Sequence, residues 1–310
     1  GINSVVNEMD NFLFGETIII GLETSAEIDT VERGGEKTSE NIKIWEQYAG
    51  KNTTVTIEKQ IPGFFEKIGL GFGKIFGGDA GKLKAMVRER GDKWDDEGVN
   101  VVALRNSEDA KGNTIKYGEN TFDDVMIVVK GGEVVSAVYG STEPGKPGYF
   151  TLVEGQHLYS FAEKNDNPKW KEDTFKPTTF KGQGYGFSVS TYDSNKNGIV
   201  DDGDRMISTS GSRIHPGDRS NKLKVSDYSQ GCQVIALDRY YDAVNNITFN
   251  YSDAKYKSPD RMYAYSNFVT DIGRKQQTVR YNLYNRTSSK LTQNLYNRYN
   301  QRLSQVNVYK

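Results

Sequence analysis

Short apolar runs separated by glycine, asparagine and aspartate constrain the fold of this chain more than any other feature. From residue 99 onward seven runs occur, each with the length and residue types of a β-strand. They are Val99–Leu104, Asp124–Val129, Glu133–Val138, Tyr149–Val153, Tyr185–Thr191, Arg205–Thr209 and Gln233–Leu237. Gly131 and Gly132 separate the second and third runs, and a Gly-Gly pair permits the positive φ angles of a tight hairpin turn. The pattern predicts a mainly β (α+β) fold built on an antiparallel domain.

The length of the chain leaves room for segments outside this domain. With 310 residues it exceeds a typical single domain, so we expect a main domain at residues 96–270 with appendages. Residues 1–95 form the first appendage, with a strand at Thr53–Glu58 and a helix at Leu83–Arg90. Before that helix, glycines interrupt apolar residues at helical spacing in Ile61–Gly78. This segment is either a packed amphipathic connector, the favoured interpretation, or a membrane-active stretch.

Residues 271–310 form the second appendage, a basic, Tyr-rich tail with eight Lys or Arg residues and the single acidic residue Asp271. Its last part has apolar residues at helical spacing, with Ser288 or Ser289 as the N-cap. The apolar face consists of Leu291, Leu295, Tyr299 and Leu303. Such a helix either docks on its own domain, which we expect, or grips an anionic polymer such as nucleic acid.

Charge and composition argue against several classes of protein. The net charge is −1 and the pI is about 6.3, which gives no general attraction to nucleic acid or to a membrane surface. A single cysteine excludes an internal disulfide framework, and two histidines exclude a His-rich zinc site. No apolar run is long enough to span a bilayer, and we expect no organic cofactor. Because the first residue is glycine, we expect a piece of a longer polypeptide whose export signal lies elsewhere.

The two rarest reactive side chains lie close together in the sequence. Cys232 is the only cysteine, and His215 is one of two histidines. A nearby imidazole can take the proton of a thiol and make it a strong nucleophile. Gly231 allows a sharp turn that would expose the thiol, and Pro216-Gly217 places His215 where a strand gives way to a turn. The alternative is that Cys232 is a small buried apolar residue and His215 a loop residue with a satisfied ring.

Residues around this pair resemble a known family. His215 followed by Ser229-Gln230-Gly231-Cys232 resembles the signature of the L,D-transpeptidase catalytic domain (YkuD-like), whose cysteine enzymes cut or join bacterial cell-wall stem peptides. The upstream segments Val99–Arg105, Phe122–Val129, Lys130–Val135 and Tyr139–Gly145 are similar to that family as well, and the resemblance covers roughly Val99 to Phe268. It implies a β-sandwich or barrel with a helical or irregular N-terminal region and a C-terminal basic helix.

The resemblance also implies a chemistry. Cys232 would be the nucleophile and His215 the base, with a backbone carbonyl orienting the ring and the N–H groups of Gly231 and Cys232 holding the oxyanion. Residues implied to bind substrate are Ser229, Gln230, Gln233 and His157, although His157 could equally cap a turn. The substrate would be peptidoglycan stem peptides, and the protein would be periplasmic, surface-exposed or secreted.

Two departures from the family pattern keep other functions open. Gln230 stands where the family has histidine before Gly-Cys, and Val234 stands where it has a polar residue. A structural or adhesive surface protein that lost activity would explain both. A secreted cysteine-protease-like effector would explain the additional regions. Hydrolase and transferase activity cannot be told apart at this point.

A second motif predicts a structural calcium ion. Residues 193–204 place oxygen ligands at the spacing of an EF-hand loop, with Gly198 at the sharp turn. The ligands would be Asp193, Asn195, Asn197, the backbone carbonyl of Ile199, Asp201 and Asp204. Because neutral asparagines occupy two positions, we expect weak affinity, near 10⁻⁴ M or somewhat tighter. The alternative is a solvated Asp/Asn-rich turn between two strands.

Overall fold

A computed structural model describes the main domain and the C-terminal segment. The described ranges are residues 78–106, 121–166, 170–178, 188–200, 204–209, 212–218, 224–225, 229–251 and 262–305. Near the N-terminus the backbones of β1 (Thr17–Gly21) and β2 (Thr54–Glu58) are also described, and they pair antiparallel. The strand predicted at Thr53–Glu58 is therefore confirmed. Most of the connector predicted at Ile61–Gly78 lies outside the described residues.

A closed barrel of eight strands forms the centre of the molecule. Its strands are β3 (Val99–Arg105), β4 (Asp124–Lys130), β5 (Glu133–Ser141), β7 (Gly155–Ala162), β8 (Thr174–Pro177), β11 (Ile214–Pro216), β12 (Gln233–Asp242) and β14 (Val279–Asn285). The order around the barrel is β11, β8, β7, β14, β3, β4, β5 and β12, and a pairing between β12 and β11 closes it. The mainly β prediction is confirmed.

Four further strands lie outside the closed ring. A separate three-stranded sheet contains β6 (Phe150–Leu152), β9 (Ser188–Tyr192) and β10 (Arg205–Thr209), in the order β10, β9, β6. The remaining strand, β13 (Ile247–Asn250), pairs with the second half of β12 as a hairpin. All seven strands predicted from the sequence therefore have a counterpart, although residues 185–187 lie outside the described chain.

Two pairings differ from the antiparallel arrangement that the sequence predicts. The pairs β14–β3 and β11–β12 are parallel, and the second of them closes the barrel. Since β14 lies between β7 and β3, it belongs to the barrel. The domain boundary expected at residue 270 consequently cuts through the barrel, because a parallel strand can come from a distant segment and gives no hairpin signal beside its partner.

Alternate residues along the strands separate two hydrophobic clusters. The inner face holds residues such as Val101, Ala103 and Tyr281, which pack with helix α2 (Tyr263–Ile272). The outer face of β3 and β4 holds Val102 and Ile127, which pack with α1 (Gly78–Glu89) and α3 (Lys290–Ser304). The sheet is thus covered on both faces, which explains the nearly continuous burial of β3 and β4.

The C-terminal helix docks on the barrel, as its apolar spacing predicted. Leu295, Tyr299 and Leu303 are buried, and Leu291 packs partly against the same cluster. Ser289 is the N-cap, because its hydroxyl accepts a hydrogen bond from the backbone N–H of Thr292 at 3.0 Å. Among the described residues no helix is both long and apolar enough to cross a membrane.

Candidate active site around Cys232 and His215

The closing strand pair of the barrel brings His215 and Cys232 together. β11 and β12 run parallel with Ile214 opposite Gln233 and His215 opposite Val234. The backbone N–H of Gln233 donates to the carbonyl of Arg213 at 2.8 Å, which extends the pairing one step toward Cys232. Because side chains alternate along a strand, Cys232 and His215 project from the same face. Residues 17 positions apart therefore meet at the barrel's seam.

The imidazole of His215 has a defined tautomer. Its Nδ1 lies 2.8 Å from the backbone carbonyl oxygen of Pro216. A carbonyl oxygen only accepts hydrogen bonds, so Nδ1 carries the proton and Nε2 keeps its lone pair. Nε2 is buried, and no nitrogen or oxygen of the described residues hydrogen-bonds to it. The neutral ring can therefore accept a proton at Nε2.

Cys232 is the side chain that acts most strongly on this ring. Burial is the largest single influence and works to lower the pKa of the imidazole, whereas the hydrogen bond and the charge of Cys232 are the next largest and raise it. The Pro216 carbonyl and the nearby carboxylate of Glu172 act in the same direction as Cys232. As a result the pKa of His215 lies above its ordinary value. This is the electrostatic pattern of a thiol and an imidazole that share a proton.

The turn before Cys232 is held by hydroxyl groups. Ser229 Oγ donates to the carbonyl of Cys232 at 2.8 Å, and Ser212 Oγ donates to the carbonyl of Gly231 at 2.7 Å. Gly231 has a φ of +133°, and a Cβ at this position would lie 2.8 Å from the Cβ of Phe150. A glycine is therefore required here, both for its backbone angle and for the close approach of Phe150.

The expected oxyanion donors are only partly supported by this turn. The backbone N–H of Gly231 donates to Ser229 Oγ over a long 3.4 Å. To hold an oxyanion, this N–H would have to exchange that weak bond for one to the substrate. Ser229 is fully buried and stabilises the turn through these hydrogen bonds. Its hydroxyl does not lie at the surface.

The thiol is covered, which corrects the expectation that Gly231 would expose it. Only 3% of the surface of Cys232 is accessible, and His215 is 4% accessible. Cys232 packs with Val225 and Val234, and the aromatic rings of Phe122 and Trp170 pack against this group. The turn leads the chain under these side chains because they bury more apolar surface there than an open turn would.

Gln233 and two tyrosines form the inner wall beside the thiol. The hydroxyl of Tyr281 donates to Oε1 of Gln233 at 2.8 Å, while Nε2 of Gln233 is buried without a partner among the described residues. Tyr159 stacks edge-on against Tyr281, and its hydroxyl lies near Ser212 without the geometry of a hydrogen bond. Burial raises the pKa of Tyr159 well above its ordinary value. Gln233 is consequently oriented inward, away from any surface groove.

The other predicted substrate residues make contacts with turns, Gln230 from within a bend and His157 from strand β7. The carbonyl of Gln230 accepts a long hydrogen bond, 3.4 Å, from the backbone N–H of Phe150. Nε2 of His157 lies 2.8 Å from the carbonyl of Val153, so it donates to that carbonyl and closes the turn before β7. Burial lowers the pKa of His157 to about 4. The geometry thus supports the turn-capping alternative for His157.

The predicted calcium loop connects β9 and β10. Oδ1 of Asp193 accepts a hydrogen bond from the N–H of Asn197, and Oδ2 accepts from the N–H groups of Gly198 and Gly148. The Asn195 and Asn197 side-chain oxygens accept bonds from the N–H groups of Asn197 and Ile199, which forms a tight coil of oxygens. Asp201 lies outside the described residues, and Asp204 directly precedes β10. The oxygen-only donor set and this coil fit a hard cation.

Several residues around the site were not singled out from the sequence. Trp170 lies with its ring centroid 5.1 Å from that of His215, and Arg213 lies 5.0 Å from the Trp170 centroid. Arg213 is held by Asp166 in a two-pronged ion pair at 2.8 and 3.0 Å. Tyr159 reaches the site from the barrel interior. Trp170, Asp166 and Tyr159 have no spacing signal that links them to Cys232, because they come from other segments of the barrel and only the fold brings them near.

Comparison with known proteins does not assign the chain to a family. No protein-family model matches it, and neither the curated proteins nor the solved structures contain a significant match.

Proposed function

We propose that this chain is a cysteine-dependent enzyme that acts on the stem peptides of bacterial peptidoglycan, as an L,D-transpeptidase or an L,D-peptidase. The observation that carries the proposal is the interaction between the Cys232 thiol and the His215 ring, whose Nε2 is left as a proton acceptor. The substrate class comes from the resemblance of the Ser229–Cys232 motif to that family. Such substrates lie outside the cytoplasm, which implies a periplasmic, surface or secreted location.

The chemistry follows from the proton positions. His215 Nε2 takes the proton of Cys232, and the thiolate attacks a peptide carbonyl to form a tetrahedral intermediate. Backbone N–H groups at Gly231 and Cys232 hold the oxyanion, and His215 then gives its proton to the leaving amine. Water or a second amine resolves the acyl-enzyme, giving hydrolysis or transfer. The carbonyl of Pro216 keeps the proton on Nδ1 and so maintains the reactive tautomer throughout.

The test is incubation with purified muropeptides and analysis of the products by mass spectrometry. The wild type should shorten or cross-link stem peptides, and Cys232→Ala should do neither. Cys232→Ala is a mild change for a small buried side chain, so it serves as a matched inactive control. Products in the Cys232→Ala sample, or none from a folded wild type under any condition, would contradict the proposal.

The burial of the thiol favours a second candidate, a surface protein that kept the fold without the activity. Phe122 and Trp170 cover Cys232, and Gln230 and Val234 depart from the family pattern. In that case Cys232 would be a core residue and would resist both a carbapenem and iodoacetamide in the folded state. Labelling by either reagent at neutral pH, abolished by His215→Ala, favours the enzyme.

We also propose that Ca²⁺ braces the loop at residues 193–204. Asp193, Asn195 and Asn197 would supply side-chain oxygens, and Ile199 its backbone carbonyl. The loop is linked to the thiol turn, since Asp193 accepts a hydrogen bond from Gly148 N–H and Phe150 packs on Gly231. An ordered loop would therefore stabilise the wall of the site that Phe150 forms.

A further inference from the structure

An aromatic side chain from the loop between β7 and β8 packs against the His215 ring. The Trp170 ring centroid lies 5.1 Å from the imidazole centroid, with the two planes inclined by 48°. Trp170 also packs against the cluster that contains Cys232. A single indole thus lies beside the imidazole and against the cluster that buries the thiol.

Trp170 is itself fixed by a rigid polar clamp. The Arg213 guanidinium lies 5.0 Å from the Trp170 ring centroid, a distance typical of a cation–π contact. Arg213 donates to both carboxylate oxygens of Asp166, at 2.8 and 3.0 Å, and to the hydroxyl of Thr174 at 2.8 Å. The backbone N–H of Asn165 donates to the carbonyl of Trp170 at 2.8 Å, which closes the loop that carries the indole.

The His215 ring needs such a wall. It stands on a strand of three residues, and its hydrogen bonds to the Pro216 carbonyl and with Cys232 act at the edge of the ring, so they do not fix its tilt. Charged or titratable groups that act on the ring are Cys232, just before β12, and Glu172 in the β7–β8 loop, and Arg213 lies two residues before His215, just ahead of β11. None of these holds the ring by packing, whereas the flat indole can.

We propose that Trp170 is a positioning residue that holds the His215 imidazole toward the Cys232 sulfur, and that the Arg213–Asp166 ion pair keeps Trp170 in place. This inference rests on the proposed Cys–His chemistry. It assigns Trp170 no contact with substrate atoms. It requires that loss of the indole or of the bidentate clamp impairs proton transfer within the pair.

The experiment measures how fast iodoacetamide alkylates the only cysteine between pH 4 and pH 10. Variants are Trp170→Ala, Trp170→Phe and Arg213→Lys, the last of which keeps the charge but cannot form the two-pronged pair. Trp94→Phe is the matched control, because Trp94 is a buried indole in the cluster on the other face of the sheet. Melting curves identify any variant that fails to fold. If Trp170→Ala does not fold, the comparison uses Trp170→Phe and Arg213→Lys instead.

A positioning role predicts two separate changes. The midpoint of the alkylation profile should move upward by about one pH unit in Trp170→Ala and Arg213→Lys, toward the ordinary thiol value near 8.5, and less in Trp170→Phe. The plateau rate should rise because the thiol is uncovered. With muropeptides, kcat should fall about tenfold while KM changes little. The reason is that a thiol midpoint one pH unit higher leaves about one tenth as much thiolate at a pH below the midpoint.

Two other outcomes are distinguishable. If the plateau rises while the midpoint stays at the wild-type value, Trp170 only covers the thiol and the inference is wrong. If the wild-type midpoint is near 8.5 and His215→Ala leaves it unchanged, the proposed Cys–His chemistry fails instead. A shifted midpoint in Trp94→Phe would show that the effect is a general loss of packing, and this too would overturn the inference.

Discussion

The neutral, partly buried ring of His157 makes the stability of the fold depend on pH. Its Nε2 donates to the Val153 carbonyl, and burial lowers its pKa to about 4, with the positive charge of Arg105 acting in the same direction. In the unfolded chain the pKa is about 6.5. Since the unfolded state binds a proton more readily, the ring's contribution is fully present above pH 6.5 and is lost as pH falls toward 4.

The magnitude follows from the two pKa values. The difference between about 4 and the ordinary 6.5 corresponds to roughly 3 kcal/mol in total. Between pH 7 and pH 4.5 the expected loss from this one ring is about 2 kcal/mol. Other groups titrate in the same interval, so the quantity to measure is the difference between the wild type and a variant that does not titrate.

His157→Gln is that variant, because its amide can still donate a hydrogen bond to the Val153 carbonyl but carries no titratable proton. Urea unfolding at pH 7 and at pH 4.5 gives the free energy of unfolding of each protein at each pH. The wild type should lose about 2 kcal/mol more than His157→Gln over this interval. Equal losses in both proteins would refute the conclusion that the folded state keeps this ring neutral.

Three further predictions concern the loop, the turn and the last helix. With a dissociation constant near 10⁻⁴ M, 1 mM Ca²⁺ should stabilise the fold by about 1.4 kcal/mol and raise Tm by about 3–5 °C relative to excess chelator, and Asp193→Ala should abolish the difference. Gly231→Ala should lower the free energy of unfolding, measured with urea, by about 1 kcal/mol or more beyond the loss in Gly155→Ala. Both glycines have a positive φ, but only Gly231 faces Phe150. Ser289→Ala should lower the free energy of unfolding, measured with urea, by about 1 kcal/mol, because the helix loses its N-cap hydrogen bond. Ser289→Asp should keep the wild-type value, since aspartate is also a good N-cap.

The fold was most predictable where a strand carries its own signal. The seven predicted runs became strands because β-branched and apolar residues bounded by turn residues favour a pleated, buried surface. In contrast, β11 has only three residues, which is too short for a periodicity. β14 does alternate, with Val279, Tyr281 and Leu283 facing inward. Its basic residues, however, led us to predict that this segment belongs to the C-terminal tail.

Helix α2 was missed although its pattern was present. Ala264, Tyr265, Phe268, Val269 and Ile272 are buried, and their spacing is that of one helical face. Aromatic and β-branched residues in this segment are equally common in strands, so composition obscured the period. By comparison, α3 combined the same spacing with a serine cap and residues of high helix propensity.

At the candidate site, sequence reasoning found the reactive pair and missed its surroundings. Cys232 and His215 could be paired because both residue types are rare in this chain and stand 17 positions apart. Trp170 and Tyr159 come from segments more than 40 residues before His215, and only closure of the barrel brings them near. The covered state of the thiol also depends on those contacts, and it agrees with the alternative in which Cys232 is a small buried apolar residue.

In the proposed mechanism, the His215 ring takes the proton of the Cys232 thiol. Thiolate absorbance near 240 nm, recorded against pH with Cys232→Ser as the blank, measures this directly. We expect a thiolate midpoint well below the ordinary value of about 8.5 in the wild type and its return toward that value or higher in His215→Ala. A wild-type midpoint at or above 8.5 that does not respond to His215→Ala would contradict the account.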